Sequence, residues 1–360
     1  MEKSTMISQP KCSESKTKLI LGRETIWMIL GVLFSGPGLT GLRMELGIRF
    51  PYSVHVQAQP HVIGSNAKCA DFVVSMAAAV PVRGDSSLKL SAVATVEVLA
   101  QNFSSNYSVF SMCLPYITGG MNSDSMAISY SCIRTTGALV NVLGPRAFAE
   151  LPRIMKNVIK ISHEMSSRVG DDNSSSRESF MHSILVALEA IVDKLGGFLN
   201  PYLEEVTRLM VIGPDYIAES KPKLKLKADI VRRLLSEKIP VRIALPPLLK
   251  VYSDAVESGD SSVATTFEML LSLIELMPNT SVGGNCGKIF ELRLRALDLR
   301  RQRPVSIKNI NIVETSIVKA TASLTIKLTE SMFKPLFISS IDWEEFSNEG
   351  ASVLETFQLF

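Results

Sequence analysis

From about residue 85 the chain repeats one pattern: apolar positions three and four residues apart, a turn of glycine, proline or polar residues, then the pattern again. That spacing puts the apolar side chains on one face of a helix. Leu88, Ala92, Val96, Leu99 and Phe103 form the first stripe, after Ser86 and Ser87, whose hydroxyls suit the open N–H groups of a first turn. Met126, Tyr130, Ile133, Gly137 and Val140 form the next, starting near Ser123 and Asp124 and stopping at Gly144 and Pro145. Phe148, Leu151, Met155 and Val158 continue the pattern up to a polar stretch, residues 168–177, that reads as an exposed loop. Met181, Ile184, Leu188, Ile191 and Leu195 follow and end at Gly196 and Gly197. The most regular stripe is Val263, Phe267, Leu270, Ile274 and Met277, with Asp260 and Ser261 placed to cap it. Val313, Ile317, Ala320, Leu324 and Leu328 repeat it further on. No segment between residues 86 and 337 sustains period-two alternation, which excludes a major sheet.

Four proline steps punctuate this pattern: Leu114-Pro115, Leu151-Pro152, Asn200-Pro201 and Leu245-Pro246. A proline fits the first turn of a helix, where its missing N–H has no partner to lose. Each step is therefore expected to open a helix, and their loose period points to one helical unit repeated. The expectation is an all-α solenoid of antiparallel helix pairs. Residues 1–84, rich in glycine, proline and short mixed runs, are expected to be irregular.

With 46% hydrophobic residues in 360, the chain has ample material for a core, and disorder is excluded. The net charge of +3 decides nothing about partners, so any basic surface must be local. Five cysteines, Cys12, Cys69, Cys113, Cys132 and Cys286, lack both the number for a disulfide framework and the close pairing of a zinc site. A reducing compartment follows. Near the N-terminus Lys16, Lys18 and Arg23 precede an apolar run, residues 26–34, that has the layout of a signal peptide but is too short for a bilayer span. Sequons at Asn102, Asn106, Asn173 and Asn279 would suit secretion, yet such triplets arise readily by chance.

The chemistry-bearing motifs are few. Gly36, Gly38 and Gly41 match a dinucleotide-binding glycine pattern after an apolar run, but no acidic residue follows at the distance a ribose needs. His55, His61, His163 and His182 have no ligand spacing, and neither a nucleophile elbow nor a phosphate loop occurs. The chain is not expected to be an enzyme, and no cofactor or metal is expected. Two basic stretches stand out. Residues 221–238 place Leu224, Ala228, Val231 and Leu235 on one stripe and leave Lys221, Lys223, Lys225, Lys227, Arg232 and Arg233 outside it, with only Asp229 and Glu237 against them. Residues 288–303 do the same with Lys288, Arg293, Arg295, Arg300, Arg301 and Arg303. Such surfaces can meet RNA phosphates, or simply be solvated helix faces. The RNA-contacting set expected here is Lys221, Lys223, Lys225, Lys227, Arg232, Arg233, Arg293, Arg300, Arg301 and Arg303.

Longer motifs carry a resemblance. IPVR-x-ALPPLLK-x-Y (239–252), ALDLRRQRPVSI (296–307) and KLTE-x-MFKPLF (327–337) are long and unusual, and SLKLSAVATVEVLA (87–100) and ILVALEAIVDKLGGFLNPYLEEVTRLM (184–210) lie upstream. Together they resemble the C-terminal region of the plant form of U-three small-nucleolar-RNA-associated protein ten, a HEAT-repeat family, over about residues 86–345, in truncated form. The resemblance implies residues 85–220 as HEAT-like repeats, 221–345 as the family's C-terminal helical domain, and 346–360 as a tail outside it. It also implies a non-catalytic scaffold of the small-subunit processome in the nucleolus, supporting transcription and early cleavage of pre-rRNA. The partners it implies are other processome proteins, pre-rRNA and U-three small nucleolar RNA, met directly or through other proteins, with neither a small-molecule substrate nor a membrane. The alternative is a protein-binding adaptor in transport or trafficking, because HEAT-type arrays also bind proteins on their concave face.

Overall fold

Helices account for nearly all of residues 66–80, 86–167, 174–299 and 309–346, which the computed structural model describes. They are α1 Asn66–Ala79, α2 Ser86–Asn102, α3 Tyr107–Gly120, α4 Met126–Leu143, α5 Leu151–Ser167, α6 Ser174–Leu195 and α7 Leu203–Ile212. After a single turn, Pro214–Ile217, come α8 Pro222–Lys238, α9 Val241–Ser258, α10 Asp260–Leu276, α11 Asn279–Leu297, α12 Ile310–Ile326 and α13 Glu330–Phe346. No strand occurs among the described residues.

The helices alternate between two layers. Even-numbered helices pack side by side, α2 on α4, α4 on α6, and so on to α12; odd-numbered helices do the same from α1 to α13. One odd and one even helix make the repeating unit, and a continuous apolar core runs between the layers from Val73 to Leu324. This is an α-solenoid, in which each unit buries its stripe only against its neighbours. The core stripes are those the spacing predicts. Val263, Phe267, Leu270 and Ile274 are buried on α10, with Met277 buried just after its end, as are Val313, Ile317, Ala320 and Leu324 on α12. Leu88, Met126 and Phe148 are exceptions: Leu88 and Met126 are exposed because they stand in the first turns of α2 and α4, and Phe148 is exposed in the turn after α4.

The prolines divide. Pro152 is the second residue of α5, and Pro201 lies in the 3-10 turn Asn200–Tyr202 that leads into α7, as expected of helix starts. Pro115 and the pair Pro246 and Pro247 lie inside α3 and α9, which begin earlier. A proline there removes one main-chain bond and frees the carbonyl four residues back. Those carbonyls belong to Ser111, Arg242 and Ile243, and the first two of these residues are exposed. Meanwhile Leu114, Ile117, Leu245 and Leu248 are buried on the opposite side and hold both helices in place.

Three local expectations are corrected. The stretch 1–84 contains α1, whose Val73 and Ala77, with Val80 just after, are buried at helical spacing. The loop expected over 168–177 gives way to α6 at Ser174, so Arg177 is a helix residue. Asp260 does not cap α10; Gly259 precedes it at φ +114°, and the Asp260 carboxylate accepts a bond from the Asn309 N–H at 2.7 Å, joining the starts of α10 and α12. Gly144 ends α4 with φ +54°, as its position before Pro145 suggests. The glycine pattern at 36–41, the apolar run 26–34, Asn173, His55, His61 and the tail 347–360 lie outside the described residues.

Candidate nucleic-acid interface

α8 puts its leucine stripe where the spacing predicts: Leu224, Ala228, Val231 and Leu235 are buried between the layers. The basic residues around that stripe do not form a free positive face. Arg232 is only 6% exposed, and it is turned inward. Its Nε and Nη2 donate to the Met210 carbonyl at 2.9 and 2.7 Å, and Nη2 also donates to the Tyr216 carbonyl at 3.1 Å. The cause lies in the sequence between α7 and α8. The helical partner of the Met210 carbonyl would be residue 214, a proline with no N–H, so the guanidinium supplies the missing donor. Burial lowers the pKa of Arg232, and Asp229, bonded at 2.5 Å, works against that. Arg232 is thus a structural clamp, correcting its place in the RNA-contacting set.

The lysines of this region meet carboxylates. Lys221 pairs with the buried Asp215, which also receives Arg177 at 2.7 Å from α6. Lys225 pairs with Glu219, and Lys227 reaches across to Glu189 on α6. Arg233 lies 3.5 Å from Glu237 on its own helix, a well-exposed pair of little energetic weight. Lys238 binds Asp193 at 2.7 Å, and Lys194 binds it at 2.8 Å. These two lysines hold the Asp193 carboxyl below its usual range. Lys223 is exposed and takes part in none of the ion pairs found among the described residues.

On α11 the pattern is similar. Arg293 is 9% exposed, lies over the Phe290 ring at 4.2 Å and donates to Ser340 Oγ on α13 at 2.8 Å. Burial lowers its pKa to about 10. It therefore joins α11 to α13 and is also corrected as an RNA contact. Lys288 is exposed, while Arg295 binds Glu291 at 2.8 Å. Arg300, Arg301 and Arg303 lie outside the described residues.

The comparison with known proteins bears on the same region. Residues 281–358 match the BP28CT (NUC211) domain, a match that begins in α11 and includes α12 and α13. An uncharacterized protein of Arabidopsis thaliana is 45% identical over 285 residues, 79% of this chain and 13% of that protein. The HEAT repeat-containing protein 1 homolog of Dictyostelium discoideum is 26% identical over 71% of the chain, and U3 small nucleolar RNA-associated protein 10 of Saccharomyces cerevisiae is 23% identical over 70%. The chain resembles these proteins over most of its length. It spans 12% and 14% of the last two relatives. The two-layer array is what a HEAT-repeat resemblance implies for the fold.

One group of residues went unread in the sequence. Two ring contacts share the segment Gly144–Glu150 that follows α4: Arg146 lies on Tyr107, and Phe148 on Phe198 of the turn after α6. Phe148 is 50% exposed and Phe198 46%, with ring centroids 4.6 Å apart, and the Arg146 guanidinium lies 4.2 Å from the centre of the Tyr107 ring. Phe148 reads as a continuation of the helical stripe, yet it sits in the 3-10 segment Gly144–Glu150. The available signal was a phenylalanine soon after Gly144-Pro145 and another directly after Gly196-Gly197, in turns where polar residues are usual.

No group of histidine, cysteine and carboxylate side chains among the described residues could hold a metal ion. His163 and His182 lie on α5 and α6, in different layers. No described helix is long and apolar enough to cross a membrane.

Proposed function

We propose that this chain is a non-catalytic scaffold in ribosome biogenesis, located in the nucleolus, where it supports pre-rRNA transcription and processing toward small-subunit rRNA. Its partners in this reading are other proteins of the small-subunit processome, pre-rRNA and U3 small nucleolar RNA. The observation that carries it is the resemblance to relatives named U3 small nucleolar RNA-associated protein 10 across about two thirds of the chain, joined to a repeated two-layer fold. A solenoid offers long surfaces to several partners at once, which is what a scaffold needs. Within this reading the direct RNA contacts of the basic stretches fall to Lys223, to the exposed Arg233, and to Arg300, Arg301 and Arg303.

Imaging the tagged full chain in plant cells tests the proposal. Nucleolar signal is expected. Diffuse cytosolic signal at native expression would remove the scaffold role, and signal in the secretory pathway would replace it with an exported protein.

A further inference from the structure

The exposed aromatic edge is not explained by packing. Half-exposed phenylalanines on two successive turns touch each other and leave their outer faces to solvent. Tyr107 and Tyr116, both 39% exposed, lie on α3, a helix without a single charged residue. Around them the charges are mostly positive. Arg146 lies against Tyr107, and Arg153 donates to the Pro115 carbonyl at 3.2 Å, one residue from Tyr116. Lys156 is exposed one turn further along α5. The single carboxylate between Arg146 and Lys156 is Glu150, 3.8 Å from Arg153. On the other side, the turn that carries Phe198 runs beside Lys238, whose Cβ would lie 3.2 Å from a Cβ on Gly196; Lys238 and Lys194 share the single carboxylate of Asp193, which leaves a smaller positive excess there.

Open aromatic faces interleaved with arginine and lysine are what single-stranded nucleic acid requires: rings for the bases and cations for the backbone. A neutral or basic protein partner would use the same rings but gain nothing from an excess of positive charge, and an acidic one is distinguished by the RNA-binding test. We propose that Tyr107, Arg146, Phe148 and Phe198 form a stacking platform for unpaired RNA bases, with Arg153 and Lys156 beside the adjoining phosphates. This deepens the RNA-scaffold reading and rests on it. The platform lies on the edge where α4 and α6 end, away from α11, and meets the basic stretch of α8 only at its last residue, Lys238.

The test is fluorescence anisotropy of the full chain with a labelled single-stranded RNA of about a dozen nucleotides, against the same sequence as a duplex. The wild type should prefer the single strand. Joint Phe148→Ala and Phe198→Ala substitution should weaken binding by about tenfold or more, with an unchanged salt slope, because stacking is lost and no phosphate contact is. Phe148→Trp should retain binding and Phe148→Leu should not, although leucine keeps the apolar area. Arg153→Ala and Lys156→Ala should instead reduce the salt slope. Circular dichroism of each variant separates misfolding from lost binding, and these exposed positions should leave it unchanged. Undiminished RNA binding by the double alanine variant, a preference for duplex, or no binding by the wild type would each overturn the platform. Undiminished RNA binding with loss of a processome protein from the isolated complex would identify a protein contact and overturn it too. Absence of the wild-type chain from the nucleolus would instead defeat the scaffold reading, on which the oligonucleotide measurement does not depend.

Discussion

Replacing Arg232 with methionine separates a structural clamp from an RNA contact. Methionine keeps most of the side-chain volume and removes every donor. The change strips two bonds from the Met210 carbonyl and one from the Tyr216 carbonyl, in a site where Arg232 is 6% exposed. The Met210 carbonyl has no substitute, since Pro214 carries no N–H. Asp229, nearly half exposed, stays solvated after losing its partner and adds little. Two buried acceptors left unpaired at about 1–3 kcal/mol each give a loss of roughly 2–6 kcal/mol. For a cooperative block of about 150–250 residues that corresponds to a melting temperature lower by roughly 4–24 °C. Thermal denaturation of the full chain reads the global effect. Hydrogen exchange should show faster opening of α7 and of the turn Pro214–Ile217 than of α2 or α4. Lys223→Met, at an exposed position, should change stability by no more than about 0.5 kcal/mol. A variant at Arg232 that melts with the wild type while losing RNA affinity would refute the reasoning and return Arg232 to the surface.

Other outcomes follow from the same packing. Burial pushes the Cys113 and Cys132 thiols up to about 12, so iodoacetamide at mildly alkaline pH should label the less buried Cys286 well before either, with peptide mass spectrometry as the readout; early labelling of Cys113 or Cys132 in the folded chain would contradict their burial. A Cβ on Gly137 would meet the Ala187 Cα at 3.0 Å, where α4 crosses α6, so Gly137→Leu should force the helices apart and cost about 1–3 kcal/mol or more in urea denaturation. Because Lys194 and Lys238 lower the Asp193 pKa in the folded state, the tie between α6 and α8 stabilises above the unfolded carboxylate pKa and is lost as pH falls through the folded one. Asp193→Asn should therefore flatten the acid end of the stability profile, below the unfolded carboxylate pKa, and less so at high salt; an identical profile would show that the ion pairs carry no weight.

Helix positions and core stripes were legible because apolar spacing and burial are two descriptions of one fact. Every stripe residue on α10 is buried. The prolines misled at Pro115, Pro246 and Pro247 because tertiary burial of Leu114 and Leu245 outweighs a local bond. Side-chain direction was the harder matter. Arg232 and Arg293 are charged residues within basic stretches, and no periodicity reports that a carbonyl or an aromatic ring waits for them inside. Pro214 was the one local sign for Arg232, and it becomes meaningful only when α7 and α8 are seen side by side. Likewise the ion pairs of Lys227 with Glu189 and of Lys238 with Asp193 join residues 38 and 45 positions apart, beyond what a local charge count can see. The contact of Phe148 with Phe198 spans two repeats and was hidden for the same reason.

The role proposed for this solenoid is in ribosome assembly, in association with U3 small nucleolar RNA. It is tested most directly by isolating the tagged full chain from plant cells under native conditions and measuring U3 RNA against an unrelated abundant nuclear RNA. The account predicts clear enrichment of U3 RNA. Equal recovery of the two RNAs, from cells in which the chain is expressed and folded, would contradict it.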